Sequence, residues 1–251
     1  MRASAIEFRL RMLIQVVLVV IGFWAPWARS WVPSAEFAPR ISLLEWLALN
    51  LSRLGLAGFA SSAAVVIVGA ALAAGLGALL RVWGAAYLGY TTIHGGRMQA
   101  GELMADGPYR FLRNPLYVGG WCMMAAISLL MPPTGALFTL PLVTVFYLRL
   151  ILGEEAFLER RLGDPYRQYL RAVPRLFPRF RAGLPRASRQ PHWPVALLTE
   201  IHAIGIFIVF ACLSWSYDNL LMVRGILISF GISLVVRAFA MNKTADQPSA
   251  A

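Results

Sequence analysis

The sequence contains few charged residues, which make up 14% of its 251 residues, whereas 59% belong to the hydrophobic set. Its mean hydropathy of +0.64 excludes a disordered chain and argues against an ordinary soluble domain. Cysteine is equally scarce: Cys122 and Cys212 both lie in apolar stretches, which excludes a disulfide framework. The three histidines are scattered without the spacing of metal ligands, so we predict no metal site.

Lysine is nearly absent as well, because 22 of the 23 basic residues are arginines and Lys243 is the exception. Twelve acidic residues leave a formal net charge of +11. In a soluble protein, such an excess would suggest a nucleic-acid partner. Here the basic residues separate long uncharged runs. We therefore predict that the charge orients the chain in a lipid bilayer and that no nucleic acid is bound.

Two uncharged runs are long enough to cross a membrane, since a bilayer core of about 30 Å needs about 20 residues of helix. One holds the 27 residues 54–80, and the other holds the 35 residues 114–148. The second is interrupted by Met-Pro-Pro-Thr-Gly at 131–135, which predicts two short helices in a tight hairpin. Further apolar runs occupy 12–28, 195–213 and 220–239. We therefore predict an all-α polytopic membrane helical bundle of about six transmembrane helices, with a tight central hairpin and a cytoplasmic amphipathic tail helix.

The first apolar run also fits a signal peptide, because Arg2, Arg9 and Arg11 precede it. The Trp-Ala-Pro-Trp stretch at 24–27 is a poor cleavage site, which favours a membrane anchor. With six spans and the N-terminus inside, nineteen basic residues fall on the cytoplasmic side and four fall outside. This asymmetry predicts an integral protein of a bacterial-type inner membrane, with both termini in the cytoplasm.

The most informative stretch is Gly-Pro-Tyr-Arg-Phe-Leu-Arg-Asn-Pro-Leu-Tyr-Val-Gly-Gly at 107–120, just before the predicted hairpin. The shorter motifs around it are Leu80, Arg81 and Trp83, then Glu154-Glu155, then Gly163, Tyr166 and Tyr169, then Pro174, Arg175 and Pro178. In this order, the motifs resemble those of the integral-membrane methyltransferases typified by isoprenylcysteine carboxyl methyltransferase and the related phospholipid N-methyltransferases. The resemblance covers about residues 56–178.

The resemblance divides the chain into three parts. Residues 1–55 hold an N-terminal transmembrane helix and an interfacial segment, in which leucines repeat at helical spacing. Residues 56–178 form a methyltransferase-like membrane core. Residues 179–251 hold a linker and an extra C-terminal transmembrane hairpin that the resemblance does not explain. In this hairpin, Glu200 and His202 are the notable residues. Glu200 lies about six residues into the span, so it is either a functional carboxylate or a helix-end carboxylate paired with an arginine or a histidine.

The resemblance implies an enzyme that transfers a methyl group from S-adenosylmethionine to a lipidic or small apolar acceptor bearing a carboxylate, thiol or amine. The positions that it assigns to cofactor binding are Tyr109, Arg110, Arg113, Asn114, Pro115, Tyr117, Gly119, Glu154 and Glu155. Among them, Arg113, Asn114 and Glu154 are the predicted catalytic residues.

The residue types of these motifs suit that cofactor. Arginines can donate hydrogen bonds to its carboxylate, glutamates can meet its ammonium or ribose, and tyrosine rings attract a cationic methyl donor. Structural interpretations stand beside these roles. Glu154 and Glu155 also suit the N-terminus of a tail helix, with Arg149 as their partner or as an interfacial anchor. Gly119 likewise allows close approach of either a cofactor or a packed helix.

One departure from the family pattern is Asn114, which stands where the family has histidine. Its amide forms hydrogen bonds but does not titrate. A membrane reductase of the steroid 5α-reductase type, which uses NADPH, is an alternative, but its motif places Asn and Glu where this chain has Leu116 and Gly120. A non-enzymatic membrane scaffold that retains the fold is a further alternative, favoured by Asn114 and by the extra hairpin.

Overall fold

The computed structural model describes residues 2–24, 41–55, 57–88, 105–179 and 190–245, and these ranges contain helices and no strand. In chain order, the helices are α1 (Ala5–Arg9), α2 (Arg11–Phe23), α3 (Leu43–Arg53), α4 (Phe59–Leu88), α5 (Pro115–Ser128), α6 (Pro133–Leu162), α7 (Asp164–Ala172), α8 (Trp193–Thr199), α9 (Ile201–Ile208) and α10 (Asn219–Ala245). A 3-10 turn at Gly107–Arg110 precedes α5, and a π-helical turn at Val209–Leu213 extends α9. The predicted all-α class is thus confirmed for the described residues.

Two helices near the N-terminus begin at capping boxes. At the start of α1, the backbone N–H of Glu7 donates to Ser4 Oγ at 3.2 Å, and Ser4 N–H donates to Glu7 Oε2 at 2.7 Å. Ser42 and Glu45 repeat this arrangement at the start of α3. The backbone N–H of Leu43 then donates to a carbonyl in the turn of the central hairpin. The helix predicted within 41–54 is therefore confirmed, and it is fixed against that turn.

The tight hairpin is confirmed, but only its first helix is short. Proline at the first position of both α5 and α6 pre-sets the helical φ angle, and a four-residue turn at 129–132 joins them. The second helix, α6, runs for 30 residues until Gly163, whose φ of 65° ends it. Glu154 and Glu155 consequently lie inside α6. The expectation that they open the tail helix is wrong, because no helix-breaking residue separates them from the hairpin and the tail helix α7 starts only after Gly163.

Helices α4 and α5 pack at close range through glycine. A Cβ atom placed on Gly77 would lie 2.7 Å from the carbonyl oxygen of Gly119, and a Cβ on Gly119 would lie 2.7 Å from that of Gly77. Any side chain at either position would therefore push the two helices apart. The long α4 spans about 45 Å at the usual helical rise, and it forms the surface on which the central hairpin and the C-terminal helices both pack.

The prediction of six spans is not confirmed by length and composition. Within the described residues, three helices are long and apolar enough to cross a membrane: α4, α6 and residues 219–236 of α10. A fourth candidate is α8 with α9, which bend by 66° where they meet. The helices α2 and α5 are apolar but short, at 13 and 14 residues or about 20 Å each. Residues 25–28 of the first predicted span, and most of the linker after residue 179, lie outside the described residues.

The C-terminal helices pack on one another through small residues. Gly205 of α9 lies directly against Ser229 of α10, and Gly225 lies against Val209. Ser229 and Ser233 are buried on the same face of α10. Small residues at 225, 229 and 233 thus allow the close packing of α9 and α10.

Candidate functional site

A buried carboxylate brings residues of three of the sequence motifs into one cluster. Glu155 is 6% exposed, and its oxygens accept hydrogen bonds from Arg175 at 2.7 to 3.2 Å and from Asn114 Nδ2 at 3.2 Å. The guanidinium of Arg113 lies 3.2 Å from the same carboxylate. A buried charge is tolerated in a membrane protein only with such partners. We call these four residues the Glu155 cluster.

Backbone hydrogen bonds hold the segments of this cluster together. The N–H of Arg113 donates to the carbonyl of Pro174 at 3.0 Å, and the N–H of Arg179 donates to the carbonyl of Phe111 at 3.0 Å. The hydroxyl of Tyr169 donates to the carbonyl of Tyr109 at 2.8 Å. The loop before α5 is therefore attached to the segment after α7, although about 60 residues of chain separate them.

The charges of this cluster are fixed by their surroundings. Hydrogen bonds from its guanidinium to Glu155 raise the pKa of Arg175 above its ordinary value, so this arginine stays charged. Burial raises the pKa of Tyr166 and Tyr169 above the usual range, so both tyrosines keep their hydroxyl protons. The cluster therefore presents permanent donors around one carboxylate.

Glu154 lies next to Glu155 in sequence but has a different environment. It is partly exposed, and its Oε2 accepts a hydrogen bond from the hydroxyl of Tyr117 at 3.1 Å. The Tyr117 ring packs edge-on against Tyr147, with centroids 5.7 Å apart. Tyr147 in turn donates to Gln15 of α2 at 3.0 Å. Glu154 thus faces the interface of α2, α5 and α6, whereas Glu155 faces the tail.

Tyr109 and Arg110 lie in the 3-10 turn Gly107–Arg110, which precedes α5. Gly107 has a φ of 55°, and a Cβ there would meet the ring of Tyr87, so glycine is required at the start of this turn. The Tyr109 hydroxyl is buried and has no hydrogen-bond partner among the described residues. Burial raises its pKa well above the ordinary value, so it remains a donor. An unpartnered buried donor suggests a ligand.

A second buried ion pair joins α4 to the C-terminal helices. Arg81 Nε lies 2.7 Å from Glu200 Oε2, and Arg81 Nη2 lies 3.0 Å from Glu200 Oε1. Glu200 is 0% exposed, and His202 Nε2 lies 3.7 Å from its Oε2. The expectation that Glu200 pairs with an arginine is confirmed. The partner is Arg81, which lies 119 residues away in sequence, and no local sequence pattern predicts this pairing.

The structure brings most of the predicted site residues together. Arg113, Asn114 and Glu155 contact one another directly, and Tyr117 contacts Glu154. The remaining predicted residues lie in the adjoining elements: Tyr109 and Arg110 in the 3-10 turn, Pro115 at the start of α5, and Gly119 one turn later. The close neighbour of Gly119 is Gly77, so helix packing accounts for this glycine, and its contact with a cofactor stays a prediction.

Two residues differ from their expected places. Arg149 was predicted to be the partner of Glu154 and Glu155 or an interfacial anchor. Three hydrogen bonds of 2.9 to 3.1 Å pair it with Glu7 of α1, so the first alternative is wrong. Arg175 was not among the predicted site residues, yet it makes the shortest contact to Glu155. Its signal was the Pro-Arg-x-x-Pro motif, which sequence reasoning used for the resemblance but not for the site.

The fold and this site define an integral membrane helical protein with a buried cluster of glutamate, arginine and asparagine where the central hairpin meets its tail. Residues 64–165 match the model of a protein family described as phospholipid methyltransferase. The match confirms the resemblance for that segment and supports a membrane methyltransferase. It ends before Arg175 and before the C-terminal helices. No curated protein and no solved structure matched the chain.

Proposed function

We propose that the protein is an S-adenosylmethionine-dependent methyltransferase that acts at the cytoplasmic membrane face on a lipidic or small apolar acceptor. The observation that carries the proposal is the Glu155 cluster together with the neighbouring pair of Glu154 and Tyr117, which brings arginines, carboxylates and a tyrosine of the resembling motifs to one end of the central hairpin. Such a set of groups suits a cofactor that bears both signs of charge.

The two glutamates divide this work in the proposed complex. Glu155 is already neutralised by Arg113 and Arg175, so it orients these arginines and leaves their remaining N–H groups for the cofactor carboxylate. The Nε of Arg113 is buried without a hydrogen-bond partner among the described residues, which fits this role. Glu154 is partly exposed and retains acceptor capacity beyond its bond with Tyr117, so it takes the cofactor ammonium or ribose.

Methyl transfer forms a bond from the acceptor atom to the methyl carbon and breaks the carbon–sulfur bond, whose electron pair stays on sulfur. The protein must therefore align the acceptor and exclude water, since displacement depends on geometry. A carboxylate or thiolate acceptor is already anionic and needs no base. An amine acceptor must lose a proton, and we assign the role of base to Glu154, whose carboxylate already accepts a hydrogen bond from Tyr117.

Asn114 fits an organising role in this proposal. Its Nδ2 donates to Glu155 Oε1 at 3.2 Å and to the carbonyl of Arg175 at 3.3 Å, so both amide protons are used to join α6 and the tail. An amide at this position holds the two segments together but transfers no proton. We therefore assign Asn114 to positioning of the motif and Arg113 and Glu154 to contact with the reacting molecules.

The orientation of the chain is part of the proposal. Nineteen of the 23 basic residues fall on one side under the predicted topology, and ten of these lie between Arg149 and Arg189. The Glu155 cluster lies at the same end of α6 as this arginine-rich stretch. The excess of arginine supports a cytoplasmic site in a bacterial-type inner membrane, with both termini in the cytoplasm.

Cofactor binding is the direct test of the proposed function. Calorimetric titration of the purified protein in detergent with S-adenosylmethionine is expected to give saturable heat, and Arg113→Ala is expected to abolish it. Arg161→Ala is the matched control, because Arg161 is an exposed arginine on the same helix as the two glutamates. No heat at millimolar cofactor, or thermal protection by NADPH in its place, would overturn the proposal.

A further inference from the structure

The break between α8 and α9 coincides with a buried charge. The two helices bend by 66° at Glu200, which is 0% exposed. The backbone groups of Glu200 itself are paired, since its N–H donates to the carbonyl of Ala196 at 3.0 Å and its carbonyl accepts from the N–H of Ala203 at 2.9 Å. A bend needs no carboxylate, and an intramembrane charge is costly. The charge therefore has another reason for being there.

The partner of Glu200 lies at the edge of the methyltransferase motif. The stem of Arg81 packs on α5, since a Cβ placed on Gly119 would lie 2.9 Å from Arg81 Cγ. One turn further along α4, a Cβ on Gly84 would lie 3.2 Å from the hydroxyl of Tyr109. The ion pair thus stands beside the one buried hydroxyl of the motif that lacks a partner among the described residues.

We infer that the C-terminal helices supply a positioning residue to the methyltransferase segment: Glu200 fixes the guanidinium of Arg81 so that Arg81 and the Tyr109 hydroxyl form the polar end of the acceptor site. This inference rests on the proposed function. Glu200 occupies Nε and Nη2 of Arg81, which leaves Nη1 as a donor, and Arg81 is 19% exposed. Two donors suit an oxygen atom of the acceptor's polar head.

A purely structural ion pair is the competing explanation. Buried pairs contribute little to stability compared with apolar residues of similar size. The C-terminal helices already have apolar and small-residue contacts, such as Gly205 with Ser229. A structural role would therefore be filled equally well by the same pair with its charges exchanged. A positioning role requires the guanidinium at position 81.

The test compares Arg81→Lys and the exchanged double variant R81E/E200R with wild-type protein. Lysine keeps the charge but loses the planar fork. Three quantities are measured: thermal unfolding in detergent, calorimetric affinity for S-adenosylmethionine, and transfer of labelled methyl groups into membranes from cells that lack the gene. The control is the exchanged variant E7R/R149E, because Glu7 and Arg149 form another arginine–glutamate pair, which joins α1 to α6.

We expect both Arg81 variants to bind S-adenosylmethionine like wild type. R81E/E200R is expected to transfer methyl groups on the order of 100-fold more slowly, as misplaced groups do, and Arg81→Lys to raise the KM for the membrane acceptor. The control is expected to keep wild-type transfer. Wild-type transfer by R81E/E200R, or an unchanged KM for Arg81→Lys if the exchanged variant does not fold, would overturn the inference. Absence of cofactor binding by the wild type would instead overturn the proposed function.

Discussion

Glu155 and Glu200 are both buried carboxylates bound by arginine, but their partners come from different parts of the chain. Glu155 is bound by residues that all belong to the family motifs, from the loop before α5 to the tail after α7. Glu200 lies outside the matched segment and binds Arg81, which lies inside it. The motifs of the resemblance therefore contain every residue of the first cluster, although they do not give its contacts, and they contain only Arg81 of the second pair. Arg81 also packs on Gly119 of the motif.

Both carboxylates are buried, but two of their arginine partners differ in access to water. The Arg81 side chain is 19% exposed, whereas the Arg175 side chain is 40% exposed. Loss of a partner costs more where water cannot replace it. We therefore expect substitutions at the Arg81–Glu200 pair to act mainly on folding and acceptor use, and those at the Glu155 cluster to act mainly on the cofactor.

The largest expected effect is that of Arg81→Ala. It leaves Glu200 charged, buried and without its arginine, and breaking a buried pair in this way costs about 3–5 kcal/mol. Thermal or denaturant unfolding in detergent measures the loss. The control is R81M/E200M, which removes both charges and is expected to regain most of the free energy of unfolding without regaining methyl transfer. If the double variant is no more stable than the single one, burial of the lone carboxylate is not the cause.

The next largest loss of stability is expected for Gly119→Ala, which disturbs the packing of α5 against Arg81 of α4. The new Cβ would lie 2.7 Å from the backbone oxygen of Gly77 and 2.9 Å from Arg81 Cγ, and such overpacking costs about 1–3 kcal/mol. The same unfolding assay applies. Gly69→Ala is the matched control on α4, because a Cβ at Gly69 meets nothing within 4 Å. Equal stability of the two variants would show that α4 and α5 are less closely packed than described.

The sequence predicts those features that depend on residues which locally start or end a helix. Proline at 132 and 133 marks the turn of the hairpin, and the prediction is confirmed. The end of α6 was not predicted, because Glu154 and Glu155 suited the N-terminus of a new helix, whereas helix-forming residues in fact continue to Leu162. The contact of Arg175 with Glu155 and that of Arg81 with Glu200 depend on tertiary packing, which no local pattern encodes.

Neutralising Glu154 and Glu155 one at a time is expected to lower stability less than the changes above, but to separate stability from cofactor affinity. Glu155→Gln removes the charge that two arginines share and is expected to cost about 1–3 kcal/mol of stability. Glu154→Gln keeps a partner for Tyr117 and is expected to change stability little while weakening cofactor affinity about tenfold, as loss of one charged contact does. Unfolding and calorimetry on the same samples separate the two. The reverse pattern would exchange the roles that we assign to Glu154 and Glu155.

The smallest expected effect concerns the exposed counterpart of these pairs, Glu7 with Arg149. The hydrogen bonds from Arg149 and from the Ser4 backbone lower the pKa of Glu7 from 4.5 to about 2. Because the folded protein has the lower pKa, the pair stabilises the fold above about pH 4.5, and this contribution is lost as the pH falls toward 2. The unfolding temperatures of wild type and Glu7→Gln are therefore expected to differ slightly at pH 7 and to converge on acidification. Since both side chains are about one-third exposed, the difference is also expected to shrink in high salt. If the unfolding temperatures still differ at low pH, Glu7 stabilises the fold through its capping box with Ser4 and not through its charge.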